Sequence, residues 1–226
     1  MLRERVSPNI SEFFSYLASH PEAENKLPPL TELSRELGVG VAALREQLEV
    51  ARALGLVEVK PRTGMRRKPY TFAPAVMQSL EYAIALNKDH FIAFADLRQH
   101  IETAYWHQAV RSLTPEDHSA LLELVARAWG KLRGSPIEIP HPEHRELHLT
   151  IYRRLNNPFV SGLLQSYWDA YETVGLNFFT DYNYLTEVWN YHQQMVDAIC
   201  ANDMEAGYKA LSEHTDLIHQ IISSSE

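Results

Sequence analysis

Downstream of Ala73 the chain carries no strand signal through the remaining two thirds of its length. Apolar residues recur there at three- and four-residue spacing, in segments near 76–88, 90–112, 115–133, 141–155, 158–179, 185–201 and 203–223. Breaks such as Gly134-Ser135-Pro136, Asn156-Asn157-Pro158 and Ala201-Asn202-Asp203 separate them. Where no sheet is available, amphipathic helices bury their apolar stripes against one another, so residues 74–226 are expected to form an all-α antiparallel bundle. The absence of a repeat period and of low-complexity tracts excludes a solenoid.

The first 73 residues read differently. Ile10, Phe13, Phe14 and Leu17 lie at helical spacing within 8–20, and 21–30 reads as a turn. A short helix follows, with Thr31 as its expected cap and Gly38 as its stop, and then a second helix from about Val41 to Leu54, before Gly55. Two short helices joined by a glycine-containing turn make a helix-turn-helix. Leu56–Lys60 alternates apolar and polar residues, and Tyr70–Phe72 reads as a partner strand, with the basic loop Pro61–Pro69 between them as a wing. The fold class is therefore mostly α: a winged helix-turn-helix over 1–73 with a small β-hairpin, followed by the bundle over 74–226.

The net charge of −8 argues against a protein that coats nucleic acid, but the sum hides a division. Residues 1–73 carry 11 Lys and Arg against 9 Asp and Glu, whereas 74–226 carry 10 against 20. Arg62, Arg66, Arg67 and Lys68 form the densest positive cluster, a pattern that serves phosphate contacts. A single cysteine, Cys200, excludes an internal disulfide and reads as a small buried hydrophobe. No run approaches the ~20 apolar residues that span a bilayer, so no membrane partner and a cytoplasmic location are expected.

The stretch LPPLTELSRELGVGVAALREQLEVARALGLVEVKPRTG, residues 27–64, resembles the winged helix-turn-helix of GntR-family regulators. The resemblance implies a recognition helix around 40–52 in the major groove of a double-stranded operator, with the wing at the neighbouring minor groove. Arg45 matches a family arginine, and Arg35 and Arg52 lie nearby. Thr31 and Val41 stand where family members carry arginines, which leaves Arg45 and the wing as the main DNA-contact candidates. Residues 90–220 resemble the FCD-type effector domain of the FadR subfamily, through LRQHIETAYWHQAV, HRELHLTIYRRLNNPFV and EVWNYHQQMVDAICANDMEAGYKALSEH.

That subfamily holds a metal with an Asp and a His four residues apart, plus two later histidines; here the positions are His144, His148, His192 and His214. His144 and His148 lie one helical turn apart on one face. His192 and His214, on two successive antiparallel helices, would stand at similar heights. His144 in place of Asp makes the ligand set all-nitrogen, which suits a divalent transition metal, zinc or nickel first, over magnesium or calcium. The resemblance also places Arg98 in the effector cavity, where a guanidinium beside a metal would grip a carboxylate; a surface pair with Glu102 is the other reading. His100 and His107 are further pocket candidates, while His20, His118 and His219 read as surface residues.

Together these readings describe a homodimeric, sequence-specific regulator, expected to repress, controlled by a small organic acid bound beside a metal. Two alternatives stand beside it. One is a metal-dependent hydrolase, suggested by the Glu146 between His144 and His148; the other is a regulator whose bundle only dimerises. Glu146 follows His144 by two residues, about 200° round the helix, so it should point away from a metal held by the histidines.

Overall fold

The computed structural model describes residues 10–20, 26–174 and 181–223. Within it, Cα proximity divides the chain into two compact units, Met1–Ser79 and Leu80–Glu226. The division falls inside a helix, a few residues past the boundary suggested by periodicity.

The first unit contains α1 (Glu12–Ser19), α2 (Leu30–Leu37), α3 (Val41–Ala53), β1 (Val57–Lys60) and β2 (Gly64–Arg67). Phe13, Leu33 and Leu44, all fully buried, come from three different helices and form its core with Leu48, Val57 and Met65. Gln47 on α3 ties α1 down: its Oε1 accepts the Phe13 amide at 2.9 Å and its Nε2 donates to Glu12 at 3.2 Å. Gly38 takes a left-handed conformation (φ 70°) and ends α2, which lets the chain turn directly into α3.

Two expectations change here. Thr31 does not cap α2. The cap position lies two residues earlier, at Pro29 (φ −58°, ψ 150°), with no side-chain capping bond; Leu30 and Thr31 are already helical. The second wing strand is Gly64–Arg67 rather than Tyr70–Phe72. Arg62 (φ 67°) and Gly64 (φ 80°) both occupy the left-handed region, so the hairpin closes across Pro61–Thr63, with Lys60 opposite Gly64 and Val57 opposite Arg67. Arg66 and Arg67 are therefore strand residues, and alternation sends Met65 into the core.

The helix α4 (Ala73–Leu86) leads into the second unit, which holds α5 (Asp89–Arg111), α6 (Pro115–Leu132), α7 (His141–Tyr152), α8 (Pro158–Val174), α9 (Tyr182–Cys200) and α10 (Met204–Ser223). Among these, α5 packs on α7, α8 and α10, and α6 on α7 and α9. The helix α6 starts at a reciprocal capping box between Thr114 and Asp117. The helices α9 and α10 form a hairpin through Asn202 (φ 57°), with the Asp203 carboxylate accepting the Ala206 amide at 3.0 Å.

The helix α9 begins at Tyr182, earlier than periodicity suggests, because Asp181 caps it by accepting the Tyr184 amide at 2.8 Å. Cys200 is exposed, not buried as expected, since it is the last residue of α9 and faces outward at the turn. The tail of the predicted helix 158–179, with Phe178 and Phe179, and the side chain of His219 lie outside the described residues. The core joins Trp106, Leu121, Leu132, Leu147, Ile151 and Trp189, all nearly inaccessible. Among the described residues no helix is long and apolar enough to cross a membrane.

Candidate metal centre and nucleic-acid face

Three helices bring the four predicted histidines together. His144 and His148 occupy successive turns of α7, whose first turn contains Pro142, a residue tolerated there because its missing amide would have no partner. His192 lies ten residues before Asn202 and His214 twelve after it, so the α9–α10 hairpin sets both at nearly the same height. Each histidine offers a ring nitrogen, and the four lie within 4.8 Å of one another. Ring centroids are 4.4 Å apart for His192 and His214, 4.6 Å for His144 and His192, and 5.1 Å for His148 and His192.

His148, His192 and His214 are fully buried. His144 keeps partial exposure as a residue, although its Nε2 is buried. Burial disfavours the imidazolium form, and crowding with the other histidines and Arg98 adds to it, so His144, His192 and His214 titrate well below 6.5. His148 is also lowered by burial, partly offset by Glu102. Four neutral imidazoles with available lone pairs are what a metal requires.

The polar accounting supports the same reading. His144 Nε2, His192 Nδ1 and both ring nitrogens of His214 are buried without a hydrogen-bond partner, a costly arrangement unless something else satisfies them. Imidazole nitrogens bound at about 2.0–2.1 Å to one ion stand roughly 3–3.4 Å from their neighbours. His148 Nε2 and His192 Nε2 are already 3.0 Å apart. The donor set therefore fits a transition-metal ion.

Around the cluster lies a charged and aromatic shell. Arg98 and Glu102, one turn apart on α5, are 2% and 0% exposed and approach to 2.8 Å. They form neither a surface pair nor an arginine alone in a cavity, but a buried ion pair beside the histidines. Arg98 stacks over Tyr167 at 4.7 Å and Trp168 at 5.2 Å. Burial opposes its charge, but the Glu102 carboxylate outweighs burial and raises the pKa. Burial alone would raise Glu102 too; Arg98 and His148 hold it instead at about 2. A cleft of about 10 Å³ beside His144 is lined by His141, Tyr171, Tyr184, Leu185, Val188 and Trp189.

Sequence reasoning missed Glu102 as part of the site and missed His141 altogether. The i, i+4 spacing of Arg98 and Glu102 signalled a pair, but no sequence pattern showed that it is buried. His100 and His107 do not join the cluster: the first is exposed near Asp96, and the second meets Glu205 at 2.9 Å. Glu146 is exposed, as its helical angle implies, so it does not face the histidines.

The basic residues of the first unit are mostly solvent-facing. Arg45 is exposed on α3, and Arg35 is exposed on α2 with its Nε 3.4 Å from the Thr31 carbonyl. Arg52, also exposed, pairs with Glu49 at 2.8 Å. Arg62 marks the wing tip, and Arg66 and Lys68 are exposed along and beyond β2. Arg67 is half-buried: its Nη1 donates to the His20 carbonyl, while its Nε and Nη2 have no hydrogen-bond partner. An isolated bridge from Lys26 to Arg66 adds Lys26 to the wing, a pairing that the loop-like sequence around it gave no reason to expect.

A winged helix-turn-helix followed by an all-helical unit with a buried histidine cluster is the architecture of a one-component regulator. The FCD domain model matches residues 93–217, more than half of the chain, and the chain belongs to that family. It is similar to the HTH-type transcriptional regulator YcbG of Bacillus subtilis, with 24% identity over 97% of this chain and 91% of that protein. It is also similar, at 25% identity over 97% of this chain and 87% of that protein, to a regulatory protein named for the L-lactate dehydrogenase operon of Escherichia coli.

Among solved structures, a GntR protein of Streptococcus agalactiae superposes with a TM-score of 0.64 at 16% identity, covering 92% of this chain and 95% of that one. McbR/YncC of E. coli gives 0.53 at 18% identity, covering 96% of this chain and 100% of that one. These two likenesses show the fold, and the relatives matched over nearly the whole chain are named as transcriptional or operon regulators.

Proposed function

We propose that this regulator represses transcription as a homodimer on a palindromic operator and that a small organic acid, bound beside a metal in the effector unit, controls it. The observation that carries this reading is the convergence of His144, His148, His192 and His214, with their buried unpartnered nitrogens. In it these four hold one divalent transition metal, zinc or nickel before magnesium or calcium, because every donor is nitrogen. Such an ion supplies a Lewis-acidic contact for an anion. Arg98 supplies the second contact, since its buried guanidinium keeps an unpartnered Nε. The relative named for an L-lactate dehydrogenase operon agrees with a small hydroxy acid as the ligand class.

A cleft of about 10 Å³ holds roughly one water, so an acid enters only when its walls part. That displacement gives ligand-bound and ligand-free states a structural difference, which coupling to DNA requires. At the DNA, Arg45, Arg35 and Arg52 belong to the helix-turn-helix contacts, and Arg62, Arg66, Arg67 and Lys68 to the wing. Two-fold symmetry of the protein matches that of the operator.

The test uses the full chain. Metal content by mass spectrometry should be near one ion per chain, and should vanish in His192→Ala or His214→Ala. Anisotropy of a labelled palindrome from the chain's own upstream region should fall on addition of L-lactate or another small hydroxy acid. Selective DNA binding that no acid alters, in a protein that takes up no metal, would overturn the proposal and leave the bundle a dimerisation module.

A further inference from the structure

Glu102 is fully buried, and each of its two carboxylate oxygens meets a different partner. Its Oε1 lies 3.1 Å from His148 Nδ1, and its Oε2 lies 2.8 Å from Arg98 Nη2. The Tyr152 hydroxyl donates to the Glu102 backbone carbonyl at 2.9 Å, which fixes this turn of α5 against α7. His148 in turn faces the other histidines through Nε2, 3.0 Å from His192.

Two tautomers of His148 compete in this setting. With the proton on Nδ1, the ring donates to Glu102 and its Nε2 lone pair is free to face His192 and His214. With the proton on Nε2, Nδ1 becomes an acceptor, and Arg98 Nη2 at 3.1 Å is placed to donate to it. The second arrangement sets a nitrogen lone pair against the Glu102 carboxylate and spends the Nε2 proton on His192. Only the first presents a ligand.

From this geometry we infer that Glu102 is a positioning residue: by accepting the Nδ1–H of His148 it selects the tautomer whose Nε2 can ligate, and so sets the affinity of the histidine cluster for its metal. The inference rests on the proposed metal site and extends it to a residue outside the ligand set. A carboxylate–histidine–metal relay of this kind holds ring orientation and raises ligand basicity, and its loss costs typically 10–100-fold in metal affinity. Arg98 is the counterweight. A carboxylate that engages Arg98 removes the competing donor from His148 Nδ1, so acid and metal should strengthen each other's binding by the same factor.

The experiment measures Zn²⁺ affinity by competition with a chromophoric chelator, for the full-length protein and its Glu102→Gln and Glu102→Ala variants. Glu102→Ala should weaken zinc binding 10–100-fold, and Glu102→Gln, whose amide oxygen can still accept from Nδ1–H, should weaken it less. Since Glu102→Ala leaves Arg98 buried without its partner, Arg98→Met with Glu102→Ala removes the charge pair together; the competing donor goes with it, so zinc binding should be weakened less than in Glu102→Ala but should stay below that of the wild type. A purely structural role would lower the melting temperatures of metal-free and zinc-loaded protein equally; here the zinc-induced rise itself should shrink. Nitrogen-15 NMR of the zinc-loaded wild type decides the matter even if no variant folds: His148 should be protonated at Nδ1 and bonded through Nε2. Ligation through Nδ1, or unchanged zinc affinity in folded variants, overturns the inference. A wild type that binds no zinc or nickel overturns instead the metal reading on which it rests.

Discussion

Acid should unfold the metal-free effector unit far more steeply than it unfolds an ordinary helical bundle. His144, His192 and His214 titrate well below 6.5 in the folded protein, and His148 is lowered as well. In the unfolded chain all four would return to about 6.5. The sign follows directly. Well above pH 6.5 neither state holds these protons and stability is at its full value. As pH falls below 6.5 the unfolded chain takes them up first, and stability is lost until the folded-state values are reached.

Each such proton is worth about 1.36 kcal/mol per pH unit, so the three histidines held well below 6.5 give a limiting slope of about 4 kcal/mol per unit, to which His148 adds until its own folded-state value is reached. Against a typical total of about 5–15 kcal/mol, one to two pH units below 6.5 suffice to unfold the unit. Glu102, held at about 2, adds its own acid sensitivity only below pH 4.5, outside this window. All four tryptophans, Trp106, Trp129, Trp168 and Trp189, lie beyond residue 79, so their fluorescence during urea titration reports the effector unit alone. Chelator-treated protein should lose at least 3 kcal/mol between pH 6.5 and 5.5, roughly two protons' worth. A loss below about 1.4 kcal/mol, one proton's worth, would refute the argument that the cluster is buried and neutral. His144→Ala should reduce the slope by about one proton, whatever its effect on stability at neutral pH.

Three further outcomes are expected. Arg45→Ala should cost operator binding roughly 1–3 kcal/mol with loss of selectivity, whereas Lys68→Ala should weaken all sequences alike and lower the salt dependence by about one ion; equal effects in both, read by anisotropy across salt concentrations, would contradict a base-reading role for Arg45. Arg98→Lys keeps the charge but not the planar fork, so it should weaken the acid response at least tenfold while metal content stays near one per chain, as titration and metal analysis can show. Gly207→Ala would put a Cβ 2.5 Å from Trp106 Cζ2 in a fully buried contact, and should lower effector-unit stability by about 1–3 kcal/mol in calorimetry.

Much of this protein is legible without coordinates. Helical periodicity after Ala73, Gly38 between two short helices and the basic run after Pro61 are local signals, and each dictates local structure through backbone sterics or the burial of one face. The four histidines were legible as well, since their spacing on successive turns and about a hairpin survives translation into geometry. Wing strands were less so. Tyr70–Phe72 has strand-like composition, but the hairpin register depends on the left-handed backbone at Arg62 and Gly64, which residue type at Arg62 does not announce.

What only the tertiary structure decided is the environment of the charged groups. An arginine and a glutamate four residues apart are as compatible with a solvated helix face as with a core, and nothing local to α5 distinguishes the two. Packing of α7 and α8 against α5 buries Arg98 and Glu102 completely, stacks the guanidinium on Tyr167 and Trp168, and points the carboxylate at His148. The same long-range packing holds Arg67 against the end of α1 and joins Lys26 to the wing. Sequence determines which side chains each element presents, because that follows from a period of two or 3.6 residues. Which of them lose water, and what they meet when they do, is set by elements distant in the chain.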